Sequence, residues 1–323
     1  MSAKTVLLMD AIAELGVELL GESATVVKAP ESSADTIRRL AKDADGIIIR
    51  SKLPDDIFEA APRLKAVCIH GTGTDLVPLA SATAHGVMVA NVPGANAQSV
   101  AEYCVMGMLM LARNVVAITA DMRSRPWDEA RMGAMKAAEL QHTTVGVVGM
   151  GEIGQRVAKI CRRGFDMRVL GTQRRLDRMG PDAEPAALET LLRQSDYVII
   201  ACPLTQDTRH LINARTLGLM KPTAWLVNVG RGAVIREEDL IQALQARRIA
   251  GAMLDVYESY QIRQGHPLFA LDNVILTPHL AGGTHASRAR ASVAAAKEML
   301  RMLAGEPPLN FVNPEVRAKA HAS

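Results

Sequence analysis

The run TTVGVVG leads directly into GMGEIG, which places Gly149, Gly151 and Gly154 in the pattern G-x-G-x-x-G; QRVAKICRRG follows with helical spacing. A strand before and a helix after is the context in which this pattern holds a dinucleotide. Gly149 permits the tight turn, and Gly151 lets a pyrophosphate approach the backbone. Gly154 lets the helix pack close to the sheet, its N-terminus facing the phosphates. Glu152 and Ile153, inside the turn, join the expected cofactor contacts. The alternative reading is an ordinary tight strand-to-helix turn.

Nineteen positions after Gly154 stands Gln173, followed by Arg174 and Arg175. NAD-binding sites carry an acidic residue here that accepts from the ribose hydroxyls. A neutral side chain and two guanidiniums remove the repulsion a 2′-phosphate would meet and offer it planar donors. NADP(H) is therefore favoured, with NAD(H) still possible. Both arginines could equally be solvated loop residues.

The elements that must position such a site are short apolar runs: TVLLM at 5, GIIIR at 46, KAVCI at 65, VMVA at 87, then TVGVVG, RVL, YVIIA, AWLVNV, AGAMLDV and NVILTP. Runs rich in Val and Ile and separated by helical patterns indicate parallel sheets buried on both faces, hence an α/β protein. Residues 95–140 have helical spacing and no strand pattern, so they separate two sheets. A helix over residues 100–122 is apolar on most faces and needs cover from another surface.

At 323 residues the chain exceeds the usual size of one core, so two domains are expected. Lys and Arg total 37 against 34 Asp and Glu, and aromatics are 3%. That balance speaks against a nucleic-acid partner. Cys68, Cys104, Cys161 and Cys202 show neither metal-ligand pairing nor a disulfide framework, which suits a cytoplasmic location. No metal is expected. Neither the N-terminal KTVLLMD nor the apolar stretch 103–112 is long enough for a signal core or a membrane span.

Later in the chain come NVGRG at 228, LDVYE at 254, HPLF at 266 and TPHLAGGT at 277. With NVPGANAQSVAEY at 91 and the glycine turn, these resemble, in order and over nearly the whole chain, the D-isomer-specific 2-hydroxyacid dehydrogenase family. The resemblance implies two doubly wound parallel-sheet domains with an active-site cleft between them. A flavodoxin-like substrate domain would comprise residues 1–99 and 286–323, and a Rossmann-like dinucleotide domain residues 100–285. It implies that Arg231 holds the substrate carboxylate and that His279 exchanges a proton with the substrate oxygen. Both roles make chemical sense: a guanidinium fork matches a carboxylate, and an imidazole titrates near working pH.

The family's substrate domain also lends a backbone loop to the carboxylate, matched here by Gly71, Thr72 and Gly73. Arg50 and Ser51 lie at the same expected edge, beside Lys52; a solvated charge pair accounts for them equally well. Ser99 lies near the nicotinamide in the family pattern, or is a plain helix cap. Cys202, Pro203, Thr208, Val229 and Asp255 complete the expected cofactor contacts. The resemblance further implies a homodimer through residues 100–140.

One position departs from the family. A glutamate usually stands five residues after the aspartate of LDV to pair with the histidine, and Tyr260 occupies its place. A neighbouring carboxylate raises a histidine pKa by roughly 1 to 3 units. A neutral phenol orients the ring without doing so. Glu258 is the alternative partner for His279.

The function implied is hydride transfer between NADP(H) and a small 2-oxo or 2-hydroxy acid resembling glyoxylate or hydroxypyruvate. A nucleotide-sensing interaction protein with weakened turnover, and a dehydrogenase whose substrate needs no proton transfer, are the competing readings.

Overall fold

The computed structural model describes residues 4–175, 177, 179–259 and 261–316. The chain divides into two compact units, Met1–Asn96 with Gly283–Ser323, and Ala97–Gly282.

The first unit is built on a five-stranded parallel sheet of β1 (Lys4–Leu8), β2 (Ala24–Lys28), β3 (Gly46–Ile49), β4 (Ala66–Ile69) and β5 (Met88–Asn91), ordered β2-β1-β3-β4-β5. This is the flavodoxin-like strand order. Every residue of β3 and β4 is buried, because helices cover both faces. Leu7, Ile47 and Val67 face α2 (Ala34–Ala41), α3 (Ile57–Ala60) and α4 (Leu79–Ala84). Val6, Ile48 and Cys68 face α1 (Glu14–Gly21) and α12 (His285–Leu303), which returns from the far end of the chain.

The second unit opens with α5 (Ala97–Ala112), α6 (Val115–Ser124) and α7 (Trp127–Met132). Its seven-stranded sheet contains β6 (Thr144–Val148), β7 (Arg168–Thr172), β8 (Glu184–Pro185), β9 (Tyr197–Ile200), β10 (Trp225–Asn228), β11 (Gly251–Leu254) and β12 (Val274–Leu276), ordered β12-β11-β10-β9-β6-β7-β8. All neighbours pair in parallel. The order reverses between β6 and β9, and doubly wound sheets bind ligands beyond the strand ends at such a point. Residues of α5 and of α8 (Glu152–Gly164) cover one face. The other is covered by α9 (Leu188–Gln194), α10 (Ala214–Leu217) and α11 (Glu237–Gln245).

Two strands were not expected. ATVVK forms β2 at a sheet edge and is only partly buried, so its pattern lacks the continuous apolar signal of its neighbours. The two-residue β8 includes a proline, tolerated because it too lies at an edge. The helix expected over residues 100–122 is broken. Asn114 adopts a left-handed conformation with φ of 50°, and α5 and α6 meet at 54°. Asn accepts that conformation more readily than most side chains. Among the described residues no single helix is long and apolar enough to cross a membrane. The four cysteines are buried and free, and no cluster of metal-ligating side chains occurs among the described residues.

Candidate active site

The turn between β6 and α8 is shaped by backbone contact. Gly149 has φ of 103°, and a Cβ there would stand 2.5 Å from the Cys202 amide nitrogen at the exit of β9. A Cβ at Gly154 would overlap the Gly149 carbonyl. A Cβ at Gly151, the residue capping α8, would meet nothing within 4 Å. The tight positions thus bring helix and strand together, and the open one leaves room for an anion at a helix N-terminus. These residues fit a dinucleotide. The Glu152 carboxylate pairs with Arg156 at 2.6 Å, and the Ile153 side chain packs against the core of this unit.

At the end of β7, Gln173 Nε2 donates to the Arg175 carbonyl at 2.7 Å. Arg174 is exposed, while Arg175 donates to Asp177 at 3.0 Å. Asp177 was not anticipated, and it takes up the Arg175 guanidinium. Beyond β9, Thr208 Oγ1 donates to the Pro203 carbonyl at 2.7 Å and accepts from Thr205 N at 2.7 Å, so this hydroxyl shapes its own loop. Cys202 and Val229 are buried at the exits of β9 and β10.

Arg231 and His279 follow β10 and β12, which flank β11, at the same edge of the sheet. The side chain of Asn228, 1% exposed, accepts from Gly230 N at 3.1 Å and donates to the Arg231 carbonyl at 3.3 Å. Its own carbonyl accepts from Asp255 N at 3.1 Å, and the Asp255 carbonyl accepts from His279 N at 2.9 Å. A chain of backbone bonds thus links the arginine turn to the histidine turn.

The histidine turn is braced from beneath. His279 is exposed and left-handed, with φ of 54°. Asp255 Oδ1 accepts from Thr277 Oγ1 at 2.6 Å and Leu280 N at 2.8 Å, and its Oδ2 from Ala281 N at 2.9 Å. Tyr103 on α5 donates to Thr277 Oγ1, and burial pushes its phenol pKa up, so the proton stays. Tyr257 donates to the Thr277 carbonyl at 2.8 Å.

A family profile described as D-isomer specific 2-hydroxyacid dehydrogenase, NAD binding domain, matches residues 105–281. The chain belongs to this family. It is 37% identical over 316 residues to a glyoxylate reductase of Thermofilum pendens, covering 94% of this chain and 93% of that one. A glyoxylate reductase of Aeropyrum pernix is 39% identical over 293 residues, with 87% of each chain covered. Among solved structures, an NADPH-dependent glyoxylate/hydroxypyruvate reductase from Sinorhizobium meliloti in complex with NADP and malonate superposes with a TM-score of 0.85 at 29% identity, covering 98% of both chains.

In this dehydrogenase several expected contacts take other partners. Asp255, placed by sequence among the cofactor contacts, is 1% exposed, and both carboxylate oxygens are spent on the histidine turn. Glu258, considered as a partner for His279, instead bonds His210 Nε2 at 2.6 Å and accepts from Glu237 N at 3.0 Å. Ser99 is buried inside the first turn of α5, two residues after its first residue Ala97. Tyr260 lies outside the described residues.

In the other unit, Ser51 Oγ donates to Asp10 at 2.8 Å, which commits the hydroxyl proton expected for substrate. Arg50 is exposed, its guanidinium reaching the Ala11 carbonyl at 3.4 Å. Beyond β4 the Gly71 carbonyl accepts from Val92 N at 2.9 Å and the Thr72 carbonyl from Asn91 Nδ2 at 2.7 Å, while Thr72 itself is exposed and Gly73 half-buried. Asn228 was the missed residue with a readable signal: an amide at the end of an apolar strand, inside the NVGRG motif.

Proposed function

We propose that this dehydrogenase reduces a small 2-oxo acid such as glyoxylate or hydroxypyruvate, with NADPH preferred over NADH. A bound reduced nicotinamide supplies the hydride. Arg231 holds the substrate carboxylate in a bidentate grip, and His279 gives its proton to the carbonyl oxygen as that carbon is reduced. The observation that carries this reading is the braced histidine turn: a buried carboxylate accepts three bonds around the exposed His279, whose backbone is left-handed. The coenzyme preference is supported by Gln173 and the exposed Arg174, and by the NADPH dependence of the Sinorhizobium meliloti relative.

In the sequence Tyr260 stands where the family has the glutamate, and a neutral phenol does not favour a protonated histidine as a carboxylate does. A Tyr260→Glu variant should therefore keep reducing at higher pH than the natural enzyme, and identical pH profiles would remove that role. Exposed Met106, Leu109, Val115 and Val116 on α5 and α6 support a homodimer through residues 100–140, to be checked by light scattering. The free, buried cysteines accord with a cytoplasmic location.

The deciding experiment incubates purified protein with glyoxylate and hydroxypyruvate, each with NADPH and NADH. His279→Gln should cut kcat by about 100-fold or more while coenzyme binding persists. No oxidation of either coenzyme with any 2-oxo acid overturns the reading.

A further inference from the structure

Four titratable side chains form a connected cluster under the Arg231 turn. His210 Nε2 and Glu258 Oε1 are 2.6 Å apart, and His266 Nε2 and Glu237 Oε1 3.1 Å apart. The two glutamates also bond reciprocally: Glu237 N donates to Glu258 Oε2 at 3.0 Å, and Glu258 N donates to Glu237 Oε2 at 3.2 Å.

We infer that these two histidine–carboxylate pairs form a clasp that sets the orientation of Arg231 toward the substrate carboxylate, making His210, Glu237, Glu258 and His266 positioning residues. This rests on the role proposed for Arg231 above. Three contacts connect the clasp to the arginine. His210 N donates to the Ala233 carbonyl at 2.9 Å, and Val234 N to the Arg231 carbonyl at 3.2 Å, so the histidine's own backbone holds the short helical turn that Arg231 caps. Gly232 lies so close to the 257–258 peptide that a Cβ would overlap the Tyr257 carbonyl and crowd Glu258 N. Glu237, which opens α11 shortly after that turn, bonds both Glu258 and His266.

The protonation pattern suits a fixed clamp. His266 Nδ1 accepts from Leu268 N at 3.4 Å, which leaves the ring proton on Nε2, facing Glu237. Burial acts against ionisation of Glu258, but the Glu237 amide, the His210 ring and the Arg209 charge outweigh it and hold the carboxyl below its ordinary value. Directional bonds of this kind fix orientation, which an apolar contact of equal area would not.

The test compares steady-state kinetics of Glu258→Ala, His266→Ala and His266→Gln with those of the natural enzyme, using glyoxylate and NADPH. Removing an orienting support should raise KM for the acid about tenfold with kcat and NADPH affinity little changed. In His266→Gln the amide reaches the Nε2 position, so KM should return to near the natural value. NADPH titration by fluorescence confirms that each variant is folded. Unchanged KM in both alanine variants, or a failure of glutamine to rescue, overturns the clasp. An Arg231→Gln control separates the two readings: if it raises KM and the clasp variants do not, only the clasp fails. If Arg231→Gln leaves KM unaltered, the carboxylate assignment fails and the clasp with it.

Discussion

Thr277 Oγ1 donates to Asp255 Oδ1 at 2.6 Å, tying the exit of β12 to the buried carboxylate at the exit of β11. Three residues of turn and one left-handed histidine depend on that carboxylate. An asparagine keeps one acceptor oxygen but turns an amine toward a backbone N–H, so Asp255→Asn should cost about 1 to 3 kcal/mol in stability. Activity should fall more than coenzyme affinity. Tyr103→Phe, which removes only the outer link, should show a smaller loss in both thermal unfolding and kcat.

The three glycines of the nucleotide turn should respond differently to alanine. Gly151 has an ordinary extended backbone and open space around it, so Gly151→Ala should fold normally yet weaken NADPH binding, because the methyl occupies the anion's approach. Gly154→Ala presses on the Gly149 carbonyl and should lower the unfolding temperature as well. Calorimetry with a coenzyme titration separates the outcomes; equal behaviour of the two variants would refute this division.

At the coenzyme's ribose end, Arg174→Ala should lower kcat/KM for NADPH by about tenfold, equivalent to about 1.4 kcal/mol, and leave NADH use unchanged. Asp177→Asn should improve NADPH use by releasing Arg175 from its ion pair. Equal changes with both coenzymes would show that these arginines do not read the phosphate.

His70 gives the first unit a pH dependence of definite sign. Burial, followed by the nearby Arg50 charge, lowers its pKa from 6.5 to about 4, and its Nε2 bonds Ser292 Oγ at 2.8 Å. The unfolded chain therefore binds the extra proton between pH 6.5 and 4. The neutral ring's stabilisation is complete above that window and lost as pH falls through it, by up to about 3 kcal/mol. Chemical denaturation at pH 7.5 and 4.5 should show a shallower loss in His70→Gln than in the natural protein.

The fold was readable where local pattern carries it. Apolar runs announce every central strand, and the glycine spacing with its flanking strand and helix announces the turn at Gly149. Edge elements such as β2 and β8 are only half-covered, so their residues need not be continuously apolar. At the site, Arg231 and His279 stand in motifs, but the residues that hold them do not. The bonds of Asp255 to Thr277 and of Glu258 to His210 join residues 22 and 48 positions apart, and no periodicity records such pairings. Charge alone had suggested Glu258 as a partner for His279; its neighbours in space gave it to another histidine.

The return of α12 to the first sheet has a consequence for biosynthesis. Residues 97–282 form one uninterrupted unit that can consolidate while the ribosome is still working. The earlier-made strands wait meanwhile with Val6, Ile48 and Cys68 covered only by α1, because Ala291, Ala295 and Met299, which complete that face, emerge after the nucleotide unit. A ribosome stalled before α12 would thus leave a finished nucleotide unit attached to a half-clad sheet, a natural target for chaperones.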